Sequence, residues 1–342
     1  MPGSDQIRHD VSSHEESWKE IVLRYQRPSA LRAGWQLLNS LGSYIAIWGL
    51  IYLSRPISVW LTVALMILAG GFLVRVFIIF HDCGHGSFFK SARANNLLGF
   101  ITGVMTFTPY ALWRREHAQH HSTAADLDRR GAGDVPTMTV EEFLAAPFWK
   151  RLGYRLVRNP VVLFGIVPPV MFLLRHRFTS SNIPCERRSV IWTNLAVLGM
   201  LLVMSWIFGL VPYLLIQTGI MAVAGAAGTW LFYVQHQFDG VYWERQEKWD
   251  FVEAAIKGSS FYKLPKVLQW FSGNIGFHHI HHLSPRIPNY NLERCHNAEP
   301  LFQNVLPVTL LSSLKAMTYR LWDEPSKRLV GFGHLRKEKA AD

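Results

Sequence analysis

Three short histidine-rich segments, called boxes below, are the parts of this 342-residue sequence best suited to metal chemistry. In a helix, residues at i, i+3 and i+4 share one face, so the histidines of each box point the same way. The exception is His279, which lies off the shared face and is not expected to bind metal. The boxes read His81-Asp-Cys-Gly-His85, His117-Ala-Gln-His120-His121 and His278-His279-Ile-His281-His282.

The number of imidazoles indicates the kind of metal centre. Neutral imidazole binds iron, zinc, copper and nickel. A structural zinc site uses about four ligands and a catalytic one about three. The eight remaining box histidines and the isolated His236 make nine, which is too many for one ion and suits two. Two adjacent iron ions can use O2 to remove hydrogen from an unactivated C–H bond, which side-chain acid–base chemistry cannot do.

Four apolar stretches are long enough to position these boxes at a membrane surface, since a spanning helix needs about 17–25 apolar residues. Breaks of two or three residues separate the members of each pair, which predicts two tight helical hairpins. His81 follows the second stretch and His236 the fourth, so both are expected at a similar height above the lipid. The predicted spans are roughly residues 37–53, 57–80, 190–210 and 213–235.

The distribution of charge predicts the orientation. The loop 81–189 carries 14 Lys or Arg, the chain after 235 carries another 14, and the two tight turns carry only Arg55. The positive-inside rule then places both termini and the central loop in the cytoplasm. The first 35 residues show no signal peptide. With these apolar stretches, the net charge of +11 favours an anionic membrane surface or an acidic protein partner over nucleic acid.

Two shorter apolar stretches, 97–113 and 161–174, are interpreted as interfacial or re-entrant segments. The alternative is six spans, which would divide the boxes between two compartments. We expect an N-terminal cytoplasmic segment 1–36, a catalytic domain 37–300 and a cytoplasmic C-terminal segment 301–342 whose charged tail after residue 320 is peripheral. The isolated histidines are interpreted as surface residues: His9, His14, His176, His296 and His334.

With their surroundings, the boxes resemble those of the membrane fatty acid desaturases, in particular the bacterial and plant acyl-lipid type. The resemblance covers about residues 35–300 and includes the extended third box, which ends Ile287-Pro-Asn-Tyr-Asn-Leu292. It implies two non-haem iron ions, O2 as co-substrate and removal of both hydrogens from one –CH2–CH2– unit. His236 is similar to the family's additional histidine. Asn274 matches an asparagine that helps complete one iron's ligand shell, or else it is a surface or capping amide.

The resemblance also implies an external source of two electrons. No His-Pro-Gly-Gly signature of a cytochrome b5 domain occurs, so we expect a separate ferredoxin or cytochrome b5-like donor, which the basic cytoplasmic face could attract. Arg75, near the end of the second stretch, is expected to reach the interface or pair with a carboxylate or lipid phosphate. Seven carboxylates are near enough in sequence to orient the imidazoles, and the sequence does not separate them: Asp82, Glu116, Asp126, Asp128, Asp134, Asp239 and Glu293.

Together these observations predict an all-α integral membrane protein: two transmembrane hairpins and a cytoplasmic helical cap that holds a di-iron site. The predicted function is O2-dependent desaturation of an acyl chain at the inner or plasma membrane, with a Δ12 or ω-6-like position. Position, chain length and acyl carrier stay open. The alternative is a membrane di-iron hydroxylase or ketolase acting on alkyl chains or carotenoids. A metal transporter or a bis-histidine haem protein would need ligands inside the spans, and the predicted spans contain almost no ionisable residues or histidines.

Overall fold

The computed structural model describes residues 18–131 and 133–335, and these residues are mostly helical. Four helices are long and apolar enough to cross a membrane, which confirms the number of predicted spans. They are called the first to fourth spans: Ala30–Ser54, Val59–His85, Pro184–Phe208 and Leu210–His236.

The second and fourth spans continue past the predicted apolar stretches and so carry histidines on their last turns. Ser58 caps the second span by accepting a hydrogen bond from the Leu61 amide, and Gly86 ends it with a left-handed φ of 68°. On the opposite side, Arg55 donates to the Phe208 carbonyl at 2.8 Å and so joins the two hairpin turns. Each hairpin therefore returns to the side that carries the boxes.

Close packing between the second and fourth spans fixes their separation. A Cβ on Gly70 would lie 2.5 Å from a methyl group of Val223, so a larger side chain there would push the two helices apart. The first span packs on the same core through Trp48, whose ring meets that of Phe208 at 5.3 Å. The packing of this bundle positions the helix ends that carry the histidines.

The two shorter apolar stretches differ in the structure. Residues 97–113 are divided between helices Ala92–Met105 and Tyr110–Thr123, and with 14 residues each both are too short to span. Residues 161–174 belong to Val162–Arg177, which is bent by 64° against Phe148–Val157. The bent pair is long and apolar enough to span only as a unit, as a broken span or a re-entrant loop would be.

The remaining elements are short. The π-helical turns are Leu38–Gly42, Val162–Ile166 and Val170–Leu174, and the 3-10 turns are Arg175–Arg177 and Gln246–Lys248. Further helices outside the spans are Val140–Ala145, Val167–Pro169, Phe251–Lys257, Lys266–Phe271, His278–Leu283, Asn289–Ala298, Pro300–Gln303 and Leu310–Ala316. A parallel pair joins Phe261–Lys263 to Pro307–Thr309, and a second sheet is formed by Met138–Thr139, Leu321–Asp323 and Arg328–Val330.

The expectation of a peripheral tail after residue 320 was wrong. Leu321–Asp323 is the central strand of the second sheet, between Met138–Thr139 and Arg328–Val330. Trp322 is 1% exposed and packs in the same core as Tyr233 of the fourth span. The charged composition of this segment concealed its buried residues: Arg328 faces solvent, whereas its neighbour Leu329 is buried.

Candidate metal centre

The first box and His236 are positioned by the spans themselves. His81 and His85 lie one turn apart at the end of the second span, and His236 is the last residue of the fourth. Because these helices pack against each other along much of their length, their last turns present imidazoles toward a common space. The sequence-based expectation of similar height is consistent with this arrangement.

The second and third boxes approach from two other helices. His117, His120 and His121 lie on Tyr110–Thr123, and the third box forms the helix His278–Leu283. Every residue of that six-residue helix is buried, and Ile280 and Leu283 pack into an apolar cluster that includes no residue of the four spans. Burial of these apolar residues turns the ligand face of the third box toward the other histidines.

The nine predicted histidines meet in two groups. Within each group, one ring nitrogen from every histidine lies within 4.8 Å of those of the others. One group has five members: His81, His85, His117, His121 and His281. The other has four: His120, His236, His278 and His282. The second and third boxes each contribute to both groups, so a box is a unit of sequence and not a unit of the centre.

The spacing of the nitrogens fits a metal ion in each group. In the five-membered group, the Nε2 atoms of His121 and His117 are 3.1 Å apart, as are those of His281 and His121. In the four-membered group, His278 Nε2 lies 3.0 Å from that of His236. Bonds of about 2.0–2.1 Å, as in zinc–imidazole sites, would place adjacent ligand nitrogens about 3 Å apart.

The two groups are direct neighbours. The rings of His121 and His282, one from each group, stack with centroids 4.2 Å apart. His85 Nε2 is buried and has no hydrogen-bond partner among the described residues. A metal ion would satisfy that nitrogen, so the donor set fits two adjacent ions with five and four imidazole ligands.

The electrostatics of the site also favour metal binding. Burial is the main cause that lowers the pKa well below the ordinary value of 6.5 for five imidazoles, and the neighbouring imidazoles lower it further. These five are His117, His121, His278, His281 and His282. They are therefore neutral at physiological pH, which is the form in which imidazole binds a metal.

Two of the seven candidate carboxylates contact the centre. His81 Nδ1 lies 3.2 Å from Asp82, and His120 Nδ1 lies 2.5 Å from Asp134. Such partners fix the ring orientation and leave Nε2 free for a metal. Four of the others pair with cations instead: Asp126 with Arg129, Asp128 with Arg245, Asp239 with Lys315 and Glu293 with Lys266.

Asn289 is a supporting residue that the sequence did not single out. It is 1% exposed, and both its backbone and side-chain nitrogens donate to Asp82, at 2.7 and 2.8 Å. Its Oδ1 accepts a hydrogen bond from Gln36 of the first span at 3.0 Å. Asn289 thus connects the first span to the carboxylate that contacts His81.

The side chain of Asn274 is occupied by other residues. Its Oδ1 accepts from Gln269 at 2.9 Å, and its Nδ2 donates to the Asn289 carbonyl at 3.2 Å. Its φ of 60° is left-handed, a conformation in which asparagine is enriched. These contacts favour the alternative of a structural amide, and a direct ligand role for Asn274 stays a prediction.

Histidines outside the two groups have other surroundings. His279 Nε2 donates to the Phe302 carbonyl at 3.1 Å, in keeping with its place off the ligand face. The expectation of surface positions was wrong for His176 and His296, which are buried against aromatic rings. His334 is half-buried, and His9 and His14 lie outside the described residues.

Arg75 is buried, and among the described residues it pairs with no carboxylate, so the expectations that it reaches the interface or pairs with a carboxylate were wrong. Its guanidinium is buried, lies 3.9 Å from the ring centroid of Trp270 and donates to that residue's carbonyl. It also donates to Ser40 at 2.9 Å and Asn39 at 3.2 Å. Neutral acceptors from two elements therefore hold this cation inside the protein.

Comparison with known proteins agrees with the resemblance. The family described as fatty acid desaturase matches residues 58–308. A fatty acid desaturase of Bacillus subtilis (strain 168) is 47% identical over 327 residues, 95% of this chain and 93% of that protein. The sn-1 oleoyl-lipid 12-desaturase of Synechocystis is 29% identical over 284 residues, 78% of each chain. An sn-1 acyl-lipid omega-3 desaturase (ferredoxin) of Nostoc is 29% identical over 271 residues, 75% of this chain and 69% of that protein.

Proposed function

The chain belongs to the fatty acid desaturase family, and from this we propose that it desaturates a lipid-bound acyl chain at two histidine-held iron ions. The observation that carries the proposal is the meeting of nine buried imidazoles in adjacent groups of five and four. When bound, the two ions supply the chemistry that activates O2 for removal of hydrogen from C–H bonds. For each double bond, the acyl chain loses two hydrogen atoms, an external donor supplies two electrons, two protons are taken up, and O2 is reduced to two molecules of water.

The residues of the chain bind and orient in this proposal. His81, His85, His117, His121 and His281 hold one ion, and His120, His236, His278 and His282 hold the other. Asp82 and Asp134 keep their histidines in the tautomer that leaves Nε2 free. Burial of all of the third box limits the access of water to the ions, which protects a strong oxidant from side reactions.

We place the new double bond at Δ12, in an ω-6-like reaction, on an acyl chain esterified in a membrane lipid. The support is similarity to the oleoyl-lipid 12-desaturase of Synechocystis, whose name states that position. The omega-3 desaturase of Nostoc is equally similar, at 29% identity, so an ω-3 position is the second candidate.

We further propose that a ferredoxin donates the electrons on the cytoplasmic side of the plasma membrane. The name of the Nostoc relative specifies ferredoxin. The charge distribution supports the orientation, because the two tight hairpin turns carry only Arg55 while the opposite side carries nearly all other cations. An acidic donor would be attracted to that basic side.

The test is a profile of fatty acid methyl esters, measured by gas chromatography and mass spectrometry, from a bacterial host that expresses the chain with a ferredoxin system. We expect a new diunsaturated product whose double-bond position is read from the fragmentation of a derivative. His281→Ala should abolish the product and lower the iron bound to purified protein. His279→Gln is the matched control, since it changes the same box off the ligand face and keeps a donor for the Phe302 carbonyl.

The outcomes are distinct. Hydroxylated or ketone products would be consistent with the proposed metal centre but would overturn desaturation as the reaction. A double bond at another position would overturn only the Δ12 assignment. Folded protein that binds no iron, or a His281→Ala variant with full activity, would overturn the proposed centre.

A further inference from the structure

Two short helices outside the four spans expose large apolar side chains. On Lys266–Phe271, Val267 is 67% exposed and Leu268 and Trp270 are also exposed. Around Leu310–Ala316, Leu306 is 92% and Leu311 82% exposed. We call these the 267–270 and 306–314 faces. Clusters of exposed apolar residues of this kind mark contact surfaces.

The two faces are neighbours because a parallel strand pair precedes both helices. Phe261–Lys263 pairs in parallel with Pro307–Thr309, with Tyr262 opposite Val308. Helix Lys266–Phe271 follows the first strand and Leu310–Ala316 follows the second. Parallel strands end at the same edge, so both helices begin on the same side of the pair.

Contacts with the spans place the 267–270 face at the depth of the bilayer. Phe72 meets the rings of Trp270 and Phe271, with centroids 5.8 and 5.2 Å apart. At 1.5 Å per residue, Phe72 lies about 20 Å along the second span from its Val59 end. The hydrocarbon core is about 30 Å thick, so these rings lie within it on the side of the metal centre.

Further contacts place the 306–314 face beside the fourth span. Tyr262 Oη lies 3.3 Å from Trp230 Nε1 and 3.0 Å from Ser313 Oγ. The Ala316 carbonyl accepts from Tyr233 at 3.0 Å. Tyr233 lies nearer the metal-centre end of the span than Trp230. Ala316, beside Tyr233, is therefore farther from the middle of the bilayer than Ser313, which lies near Trp230, and the N-terminal end of helix Leu310–Ala316 is its deeper end. Leu311 and its exposed neighbours are therefore at or below the level of Trp230, about 30 Å from the Leu210 end.

We propose that the 267–270 and 306–314 faces are seated in the lipid leaflet on the metal-centre side, where acyl chains cover their apolar side chains. Continuity with the membrane-embedded surface of the second and fourth spans identifies lipid as the occupant. Lys266 and Lys315 stand at the rims of these faces. Their side chains are largely exposed, pair with Glu293 and Asp239, and are long enough to reach lipid phosphates. The chain after residue 300 is then a membrane-contacting part of the protein.

The experiment uses full-length protein in proteoliposomes, with Cys185, the exposed native cysteine, changed to Ser. Leu311→Cys and Val267→Cys are each labelled with a bimane fluorophore, and Glu247→Cys on the exposed turn Gln246–Lys248 is the matched control. Each label is measured with lipids brominated on the acyl chain and, separately, with aqueous iodide. We expect brominated lipid to quench the labels at 311 and 267 and iodide to leave them bright, with the reverse at 247.

Quenching of the 311 label by iodide, as at 247, would overturn the proposal by showing that the face is in water. A 311 label quenched by neither agent would also overturn it, because a protein surface would then cover the face. The two labelled positions are separate variants, so poor folding of one leaves the other as a test. The readout does not depend on catalysis, so loss of the proposed desaturase activity would not affect it.

Discussion

At the scale of single residues, the orientation of an imidazole in the centre depends on the partner of its Nδ1, the ring nitrogen that does not face the proposed metal position. His120 belongs to the four-membered group and donates its Nδ1 hydrogen to Asp134. Asp134 is itself fixed, because its other oxygen accepts a hydrogen bond from the Gly131 amide at 3.1 Å. A carboxylate held in this way keeps Nε2 of His120 directed at the metal position.

We therefore expect Asp134→Ala to reduce iron affinity or activity by about 10–100-fold, the usual effect of losing such a partner. Metal content of purified protein across a range of iron concentrations, with product yield measured in parallel, checks this. Asp239→Ala removes an exposed carboxylate that pairs with Lys315 and should change neither. Equal iron binding by the two variants would show that Asp134 does not orient a ligand.

The sequence was sufficient to select the nine histidines that the structure brings together. Helical spacing identifies the eight in the boxes, because residues three and four apart share a face, and His236 was selected by its position after the fourth apolar stretch. The sequence did not predict how the boxes divide, since that depends on the angles at which four helices meet. Nor did it find Asn289, whose contact with Asp82 joins positions 207 residues apart. Of seven carboxylates near the boxes, only contacts in three dimensions distinguished Asp82 and Asp134 from those that pair with surface cations.

At the scale of elements, the two helices that carry three of the ligands are held together by small residues. Gly70 of the second span faces Val223 of the fourth, and a Cβ there would meet the valine side chain at 2.5 Å. Displacing these helices would separate His81 and His85 from His236. The geometry of the metal centre therefore depends on packing inside the membrane.

Gly70→Leu is expected to destabilise the protein by about 1–3 kcal/mol or more, as overpacking of a close contact does, and to lower iron content. Thermal unfolding in detergent and metal analysis would measure both effects. Gly49→Leu is the matched control, because Gly49 lies in the first span and a Cβ added there would meet nothing within 4 Å. If both variants unfold at the temperature of the parent, the close contact does not determine the helix spacing.

Hydropathy predicted the four spans well, because a helix that crosses the lipid must be apolar over most of its length. Their ends were less predictable: the first span begins at Ala30 and the third at Pro184, each several residues before its apolar stretch. The tail was mispredicted for a related reason. Strands of two or three residues are too short to show a hydropathy pattern. All of Leu321–Asp323 and the side chain of Leu329 are buried in a segment whose overall composition is charged.

At the scale of the whole molecule, all nine imidazoles lie on one side of the spans and the two hairpin turns on the other. The turns are joined there by the hydrogen bond from Arg55 to the Phe208 carbonyl. The Lys and Arg residues are concentrated on the side of the centre, so positive charge is distributed unequally between the two sides of the bilayer. The proposed orientation follows from this asymmetry.

We expect a cysteine at Ile57, in the first hairpin turn, to react with a membrane-impermeant maleimide in right-side-out vesicles. A cysteine at Glu247 should react only after the vesicles are opened. Both variants carry Cys185→Ser, and gel-shift labelling before and after opening measures the two fractions. The reverse pattern would place the metal centre outside the cytoplasm.

The hydrogen bonds of Asn289 have a consequence for how the protein is made. Gln36 and Asp82 leave the ribosome well before the residue that joins them, because Asn289 follows Asp82 by 207 residues. The hairpins can enter the membrane as they emerge, whereas the third box and Asn289 emerge only after all four spans. Insertion of the spans can therefore precede closure of the centre, and the proposed iron ions would enter a chain whose four spans are already in the membrane.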